Sequence, residues 1–294
     1  MGEGEAQIEN PPDAPTEPAP PAREVIYRHK LATRITHWIN VFCISLLLMS
    51  GFTILNAHPR LYWGQYGANA DAPVFSITSM QREGRWIGIT QIGALRFETT
   101  GVLGASEMNG RVVPRGMPAW ITLPSYRDLA TGRRWHFFLA WLFVVNGLVY
   151  LAFGFANGHF RRDIAPTREE LKPKRLWADI VAHAKLHIPR GEESKRYNTL
   201  QKIAYAGVIF LILPLMLLTG LSMSPSFDAL APWLPQVFGG RQSARTIHFI
   251  TANLIVLFVA VHLFEVFLVG AWNEIRSMIT GYYEVKPEKA ADVK

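Results

Sequence analysis

Residues 245–262, RTIHFITANLIVLFVAVH, place His248 and His262 fourteen residues apart with only uncharged residues between them. In an α-helix, fourteen residues return a side chain to within about 40° of its first direction and carry it roughly 21 Å along the axis. One helix would therefore show two histidines on one face, one near each side of a bilayer. Because histidine is costly inside a membrane, its presence there indicates a function. The spacing suits two haems stacked across a membrane; the alternative is two unrelated polar residues in a helix.

The composition favours a membrane protein. Hydrophobic residues make up 49% of the 294 residues, and nine tryptophans are present, which is high for a soluble protein. The one cysteine, Cys43, excludes an internal disulfide, a C-x-x-C-H haem attachment site and a cysteine-ligated cluster. It lies in an apolar run, so we interpret it as a packing residue. In a soluble protein the net charge of +7 would suggest nucleic-acid binding, but basic residues concentrated on one side of a membrane account for it here.

Four long stretches with few charges predict four transmembrane helices. Each is long enough to cross the hydrocarbon core of a bilayer, which takes about 20 residues. Pro214 should kink the third helix. The predicted fold class is an all-α integral membrane protein, a four-transmembrane-helix bundle with a long extracytoplasmic loop between helices 1 and 2. The predicted spans cover about residues 35–57, 135–158, 203–225 and 246–272.

The connections between the spans predict the orientation of the chain. The 161–202 loop contains eleven Lys or Arg residues, whereas the 228–243 loop contains one. The positive-inside rule then places the 161–202 loop and both termini in the cytoplasm. The 60–133 loop lies outside, and because a connection this long is usually functional, we interpret it as a small cap with short helices or strands.

The two ends of the chain are predicted to be tails around one membrane domain. Residues 1–26 are rich in proline and lack apolar periodicity, which predicts a disordered cytoplasmic tail rather than a signal peptide. Residues 27–280 form the membrane domain. Residues 281–294 form a second cytoplasmic tail.

Depth in the membrane pairs the four histidines of the spans. His248 and His136 open their spans at the outer face, whereas His37 opens the first span at the inner face and His262 lies deep in the fourth. The predicted axial ligands are therefore His136 with His248 at an outer haem iron and His37 with His262 at an inner one. The third span has no histidine and is expected only to pack. His262 lies farther from its helix end than His37, so either the helices are staggered or the first begins before Arg34.

Three arginines, Arg34, Arg133 and Arg245, each precede one of these histidines by three residues. That spacing keeps the arginine and the histidine on one helix face. The guanidinium fork suits carboxylates, and a haem carries two propionates, so these arginines are candidate propionate ligands. The alternative is that these arginines are ordinary basic residues of the kind that commonly flank membrane spans.

Gly51 is a further candidate for the haem site. It follows His37 by fourteen residues, so it should lie on the same face and level with the outer haem. A glycine there would let a flat porphyrin approach the helix closely. Ordinary small-residue helix packing is the alternative.

The histidine pattern resembles the bacterial cytochrome b561 / nickel-hydrogenase cytochrome b family of membrane di-haem proteins. The likeness covers about residues 27–280 and rests on single histidines in spans one and two and the H-x13-H pair in span four. The long outer loop and the segment GRRWHFFLAWLFVVNGLVYL (132–151) resemble the branch often labelled thiosulfate-reductase-type cytochrome b. The resemblance implies two haem b groups, quinone or quinol as substrate, and a bacterial cytoplasmic (inner) membrane. It also implies electron transfer to or from a partner, commonly a molybdopterin oxidoreductase on the outer side.

The remaining histidines are weaker candidates for ligands. His58 and His159 lie at span ends, where an interfacial position is expected. His29 lies in the basic segment before the first span, where it could be mistaken for a ligand.

One cytoplasmic segment and one carboxylate carry further possible chemistry. Asp179, His183 and His187 follow one another at intervals of four, a spacing that could bind a metal on one helix face. We prefer a solvated or membrane-surface amphipathic helix. Glu265 lies one turn after His262, where it could relay quinone protons or simply reach towards the cytoplasm.

Two bis-histidine haems leave no open iron position, so the irons would carry electrons rather than bind oxygen. The sequence therefore predicts a membrane cytochrome b that transfers electrons between the quinone pool and an extracytoplasmic redox partner, as a subunit of an oxidoreductase complex. One alternative is a stand-alone quinone-linked small-molecule oxidoreductase, for example from superoxide to quinone. Arg or Lys clustered around the outer haem edge would favour it by attracting anions. A haem-free transporter or anchor is a third possibility.

Overall fold

The computed structural model describes residues 24–68, 70–186, 188, 190–285 and 287. In that part of the chain, four helical segments are long and apolar enough to span a membrane: Leu31–Leu55, Leu129–Ala156, Gly191–Ser222 and Arg241–Thr280. The predicted four-helix membrane bundle is confirmed, and each helix begins several residues before its predicted start. The uncharged stretches from which the spans were predicted exclude the first turn of each helix, because that turn contains charged side chains.

The first spanning helix shows why the predicted boundaries were too narrow. Strand β1 (Val25–Tyr27) precedes helix α1 (Leu31–Leu55), so Arg34 lies inside the helix. Arg34 donates a hydrogen bond to the Ile279 carbonyl, and Trp38 Nε1 donates to the Met278 carbonyl at 3.0 Å. Both bonds join the start of α1 to the end of the fourth span. The earlier start places His37 well inside α1, which removes the need for staggered helices.

The outer loop folds as a β-structured cap, so only the membrane part of the chain is all-α. Strands β2 (Arg60–Leu61), β3 (Phe75–Arg82), β4 (Arg85–Ile92) and β5 (Leu95–Glu98) form an antiparallel sheet in that order. A separate hairpin contains β6 (Gly104–Met108) and β7 (Arg111–Arg115). The β3–β4 and β6–β7 hairpins each turn through two residues with positive φ, Glu83–Gly84 and Asn109–Gly110. A two-residue turn of this kind matches the natural twist of the strands.

A small apolar core joins this cap to the end of α1. Leu55, Leu61, Ile77 and Met117 are buried together. The side chain of Asn56, just beyond α1, accepts from Met117 N at 2.6 Å. The cap is therefore fixed to the membrane bundle through the first span.

The second spanning helix packs along the first. Helix α2 (Leu129–Ala156) is capped by Asp128, whose carboxylate accepts from Thr131 N at 3.0 Å. Inside the bundle, the buried Asn146 amide donates to the Thr36 carbonyl at 2.9 Å and to Asn40 Oδ1 at 2.7 Å. Such polar contacts hold neighbouring helices together where lipid offers no hydrogen-bond partner.

The third spanning segment is an interrupted helix. After helix α3 (Pro173–Ala184), the segment consists of α4 (Thr199–Gly207), a π-helical stretch (Val208–Ile212) and α5 (Leu213–Ser222). Pro214 stands at the start of α5. The missing proline N–H breaks the regular hydrogen-bond pattern at this point, and the predicted kink stays a prediction.

The fourth spanning helix is much longer than the bilayer requires. Two short helices, α6 (Pro225–Leu230) and α7 (Leu234–Val237), lead to α8 (Arg241–Thr280), which Gly270 interrupts at φ 129°. Strand β8 (Tyr282–Glu284) then pairs antiparallel with β1. Both ends of the described chain therefore lie on one side of the bundle, as an even number of spans requires.

That strand pair corrects the predicted tails. Val25 and Ile26, assigned to a disordered tail over 1–26, pair with Glu284 and Tyr283. The second predicted tail, 281–294, likewise begins with a strand. The sequence alone does not predict these strands, because each is three residues long and pairs with a segment at the far end of the chain. Residues 1–23, 286 and 288–294 lie outside the described residues.

Candidate functional site

The fold brings the four histidines of the spans together in two pairs. His37 on α1 faces His262 on α8, with ring centroids 6.4 Å apart and an interplanar angle of 64°. His136 on α2 faces His248 on α8, with centroids 6.4 Å apart and an angle of 63°. These are the pairs that the sequence predicts from depth in the membrane.

The separation of the rings fits a metal ion between them. Two imidazoles on opposite sides of one metal ion, with bonds of about 2 Å and ring centres about 1 Å behind the nitrogens, have centroids about 6 Å apart. An ordinary aromatic contact also spans about 4.5–7 Å. Two separate pairs with the same distance and angle, however, indicate one common geometric constraint.

Each ring of the outer pair is contacted by a hydroxyl and a glycine from the neighbouring helix. Ser50 Oγ lies 3.0 Å from His136 Nδ1, and a Cβ on Gly51 would lie 3.5 Å from His136 Cε1. These residues sit on α1, so Gly51 lies against the His136 ring, and its role at a haem stays a prediction.

The third span repeats this arrangement at the other outer histidine. Thr219 Oγ1 lies 3.1 Å from His248 Nδ1, and a Cβ on Gly220 would lie 3.4 Å from His248 Cε1. The expectation that the third span only packs is therefore wrong. The signal was present as two hydroxyl–glycine dipeptides, Ser50–Gly51 and Thr219–Gly220, on the two spans that lack an outer histidine.

The inner pair has different surroundings. Phe258 stacks on His262 with centroids 6.1 Å apart and an interplanar angle of 10°, and Trp38 meets His37 edge-on. Nδ1 of His37 is buried and has no hydrogen-bond partner among the described residues. The inner rings are thus surrounded by aromatic groups, whereas the outer rings are hydrogen-bonded.

The three candidate arginines lie near the ends of the spans. Arg34 is held at the end of α8, and its buried Nε has no hydrogen-bond partner in the described part of the chain. Arg133 is exposed, with its guanidinium carbon 5.6 Å from the centre of the Phe137 ring. Arg245 donates to the His58 carbonyl just beyond α1. Their role towards propionates stays a prediction.

The other titratable candidates make contacts away from the histidine pairs. His159 Nδ1 lies 2.7 Å from Asp163 Oδ2 at the end of α2. The exposed face of α3 supports the amphipathic-helix interpretation, and Asp179 accepts a hydrogen bond from Thr199. His187 lies outside the described residues. Within them, no group of three or more His, Cys, Asp or Glu side chains could hold a metal ion.

The Glu265 carboxylate is paired with residues of the segment between spans two and three. Its Oε1 lies 3.2 Å from His183 Nε2 of α3, and its Oε2 lies 3.5 Å from the Gln201 amide of α4. The carboxylate therefore reaches towards the segment between spans two and three, and the cytoplasmic location of that segment stays a prediction.

An open cavity of about 440 Å³ lies where the cap meets the end of α1. Its wall includes three arginines, Arg60, Arg115 and Arg127, together with His58 and no carboxylate. Burial first, and then the charges of Arg245 and Arg60, lower the pKa of His58. The cavity wall is therefore strongly electropositive.

A family model for prokaryotic cytochrome b561 matches residues 28–281. The chain belongs to this family. It is 28% identical over 261 residues to the putative protein-methionine-sulfoxide reductase subunit YedZ1 of Azospira oryzae, which covers 89% of this chain and 100% of that relative. It is 23% identical over 164 residues to the probable Ni/Fe-hydrogenase B-type cytochrome subunit of Cupriavidus necator, which covers 51% of this chain and 66% of that relative. No solved structure matches the chain.

Family membership and the four apolar helices make this a multi-pass membrane cytochrome b, a haem-binding protein of electron transport. The residues present fit that cofactor. Imidazole is an established axial ligand of haem iron, and both ring pairs have the required separation. The glycines at positions 51 and 220 lie directly against the rings of His136 and His248, where a Cβ would be in van der Waals contact.

Proposed function

We propose that this cytochrome b561-family protein binds two haem b groups, one between His37 and His262 and one between His136 and His248. The observation that carries the proposal is the equal 6.4 Å separation of the two ring pairs. With two histidines to hold each haem, the iron would have no open position, so the sites would suit electron transfer rather than oxygen binding. Haem b supplies one-electron redox chemistry when bound.

The protein residues have three tasks in this proposal. The four histidines fix the two cofactor planes at different depths of the same bundle. Gly51 and Gly220 keep side chains away from the outer plane. Arg34, Arg133 and Arg245 neutralise the propionates, since a carboxylate near the membrane needs a cationic partner.

We also propose that electrons pass between the quinone pool and a redox partner on the extracytoplasmic side, and that the partner is a molybdopterin oxidoreductase. Two relatives support a subunit role, because their names describe a subunit of a methionine-sulfoxide reductase and a cytochrome subunit of a hydrogenase. The positive charge of the 161–202 loop supports an inner-membrane orientation with both termini in the cytoplasm. The partner would then dock on the β-structured cap or the 228–243 loop.

Two measurements test the proposal. A pyridine haemochrome assay against protein mass should give about two non-covalent haems per chain. Quinol added to membranes should reduce both haems, and the added redox partner should reoxidise them. A haem content near zero or one, or haems that quinol never reduces, would contradict the proposal.

The cap cavity supports a second candidate, a stand-alone oxidoreductase that takes electrons from superoxide to quinone. Arg60 and Arg127 on its wall would attract a small anion towards the outer face. The His58 carbonyl at this cavity accepts a hydrogen bond from Arg245, one turn before His248. Superoxide decay that requires the purified protein and quinone but no partner, and that weakens with Arg127→Gln and with rising salt, would favour this candidate.

A further inference from the structure

Ser50 lies between the backbone of its own helix and the His136 ring, and its contacts favour one hydrogen-bond direction. Its hydroxyl lies 2.8 Å from the Leu46 carbonyl and 3.1 Å from the Leu47 carbonyl, and both of these oxygens can only accept. The single hydroxyl proton is therefore used on the helix backbone. With the hydroxyl proton on the backbone, the imidazole N–H donates to the serine oxygen across the 3.0 Å contact with His136 Nδ1. The Leu47 backbone is a second hydrogen-bond partner of the same ring.

Thr219 gives the same result at His248. Its Oγ1 lies 2.7 Å from the Leu215 carbonyl and 3.1 Å from the Met216 carbonyl, so its proton is also used on the backbone. The 3.1 Å contact with His248 Nδ1 is then an N–H donor to the threonine oxygen. This direction places the proton of both outer histidines on Nδ1 and leaves each Nε2 lone pair for a metal. The Met216 backbone is a second hydrogen-bond partner of the His248 ring.

The inner pair receives no such hydrogen bond. Nδ1 of His37 has no hydrogen-bond partner among the described residues, and the His262 ring packs against the rings of His37 and Phe258. The two sites therefore have the same ring spacing but different support behind the rings. A hydrogen bond accepted from the non-ligating N–H fixes the ring orientation and raises the basicity of the ligating nitrogen.

We propose that Ser50 and Thr219 are positioning residues that hold the outer histidines in one tautomer and lower the reduction potential of the outer haem. The inference rests on the proposed di-haem function. A more basic Nε2 donates more electron density and stabilises the ferric iron relative to the ferrous iron. The hydroxyls act on the outer site alone, so they make the two haems unequal.

Serine and threonine also bond to the preceding helical turn for purely local reasons, and the chain offers matched controls for that role. Ser45 on α1 bonds to the Val41 carbonyl at 2.8 Å, and Thr251 on α8 bonds to the Ile247 carbonyl at 2.7 Å. Neither hydroxyl has a hydrogen bond to a histidine in the described structure.

The test compares Ser50→Ala, Thr219→Val and their combination with Ser45→Ala and Thr251→Val, using redox titration of each haem in the purified protein. The outer haem is the component that His136→Ala removes. The first three variants should raise its potential and leave the inner haem unchanged, with the largest shift in the combination. Outer-haem affinity should fall about 10- to 100-fold in the combination. The two control variants should change neither quantity.

Conservative variants separate positioning from folding. Ser50→Thr and Thr219→Ser keep the hydroxyl, so both should hold the outer potential near the wild-type value. If Ser50→Ala loses the outer haem altogether, restored binding in Ser50→Thr supports the inference, and failure of Ser50→Thr to bind contradicts it. Unchanged potentials, equal shifts of both haems, or shifts of the same size in the controls overturn the inference. A wild-type protein without two haems overturns the proposed function instead.

Discussion

Replacing Arg115 should open the outer cap without releasing either haem. The side chain is 2% exposed. Its Nε donates to the Met117 carbonyl at 2.7 Å, and its Nη2 donates to the Thr122 hydroxyl at 2.6 Å. Burial, and then the nearby charge of Arg127, lower the pKa of Arg115, yet a guanidinium keeps its proton in proteins. Arg115 is thus a buried cation that ties β7 to the segment leading into α2.

The expected loss follows from these two bonds. A hydrogen bond with a charged donor contributes about 1.5–3 kcal/mol, so two contribute about 3–6 kcal/mol. The cost of burying a guanidinium beside a second arginine offsets part of this gain. We therefore expect Arg115→Ala to lower the free energy of cap opening by about 2–4 kcal/mol. The lower value alone raises the open fraction roughly 30-fold.

Hydrogen exchange and limited proteolysis of residues 104–122 measure this opening, and the absorbance spectrum reports the haems. Arg111→Ala, an exposed change in the same strand, is the matched control and should alter neither. Arg115→Lys keeps the charge but not the planar fork, so it should recover only part of the protection. Unchanged exchange in Arg115→Ala would refute the assigned hydrogen bonds. Loss of the outer haem would refute the separation of the cap from the haem site.

Three further outcomes are expected. His262→Ala should remove the inner haem and His136→Ala the outer one, because each loses an axial ligand; loss of the same spectral component in both variants would refute the pairing. His183→Ala should leave both haems bound, since its ring contacts no candidate ligand, and loss of either haem in the spectrum would show that His183 supports a haem site. Deleting about residues 76–118 should keep both haems in the spectrum but stop quinol-driven reduction of the partner in membranes; loss of haem would make the cap a structural lid.

The spans and the histidine pairs were predictable because the bilayer constrains both strongly. Lipid offers no hydrogen-bond partners, so a chain that crosses the membrane here forms a helix, which satisfies its own backbone N–H and C=O groups. Length and apolar character therefore locate the four spans. The fixed rise of a helix then converts sequence position into depth. Depth places His136 level with His248 and His37 level with His262. The α1 start at Leu31 supplied the last adjustment, which the charge of Arg34 had concealed.

The cap was only partly predictable. Asn109–Gly110 joins β6 and β7, and an Asn-Gly pair is the residue pair that a tight hairpin turn favours. The pairing of β2 with β3 could not be predicted in the same way, because β2 is two residues long and thirteen residues separate the two strands. Its position depends on the apolar contact of Leu61 and Ile77 with the end of α1.

The hydroxyl–glycine dipeptides show why single residue types were a poor guide to the third span. That span has no histidine, yet it supplies Thr219 and Gly220 to the outer site, just as α1 supplies Ser50 and Gly51. The outer site is therefore built by all four spans, whereas the inner ring pair is built by α1 and α8 alone. A substitution at Thr219 or Gly220 should consequently act on the outer haem and spare the inner one. Each outer histidine is thus contacted by one hydroxyl and one glycine, whereas the inner histidines contact aromatic rings.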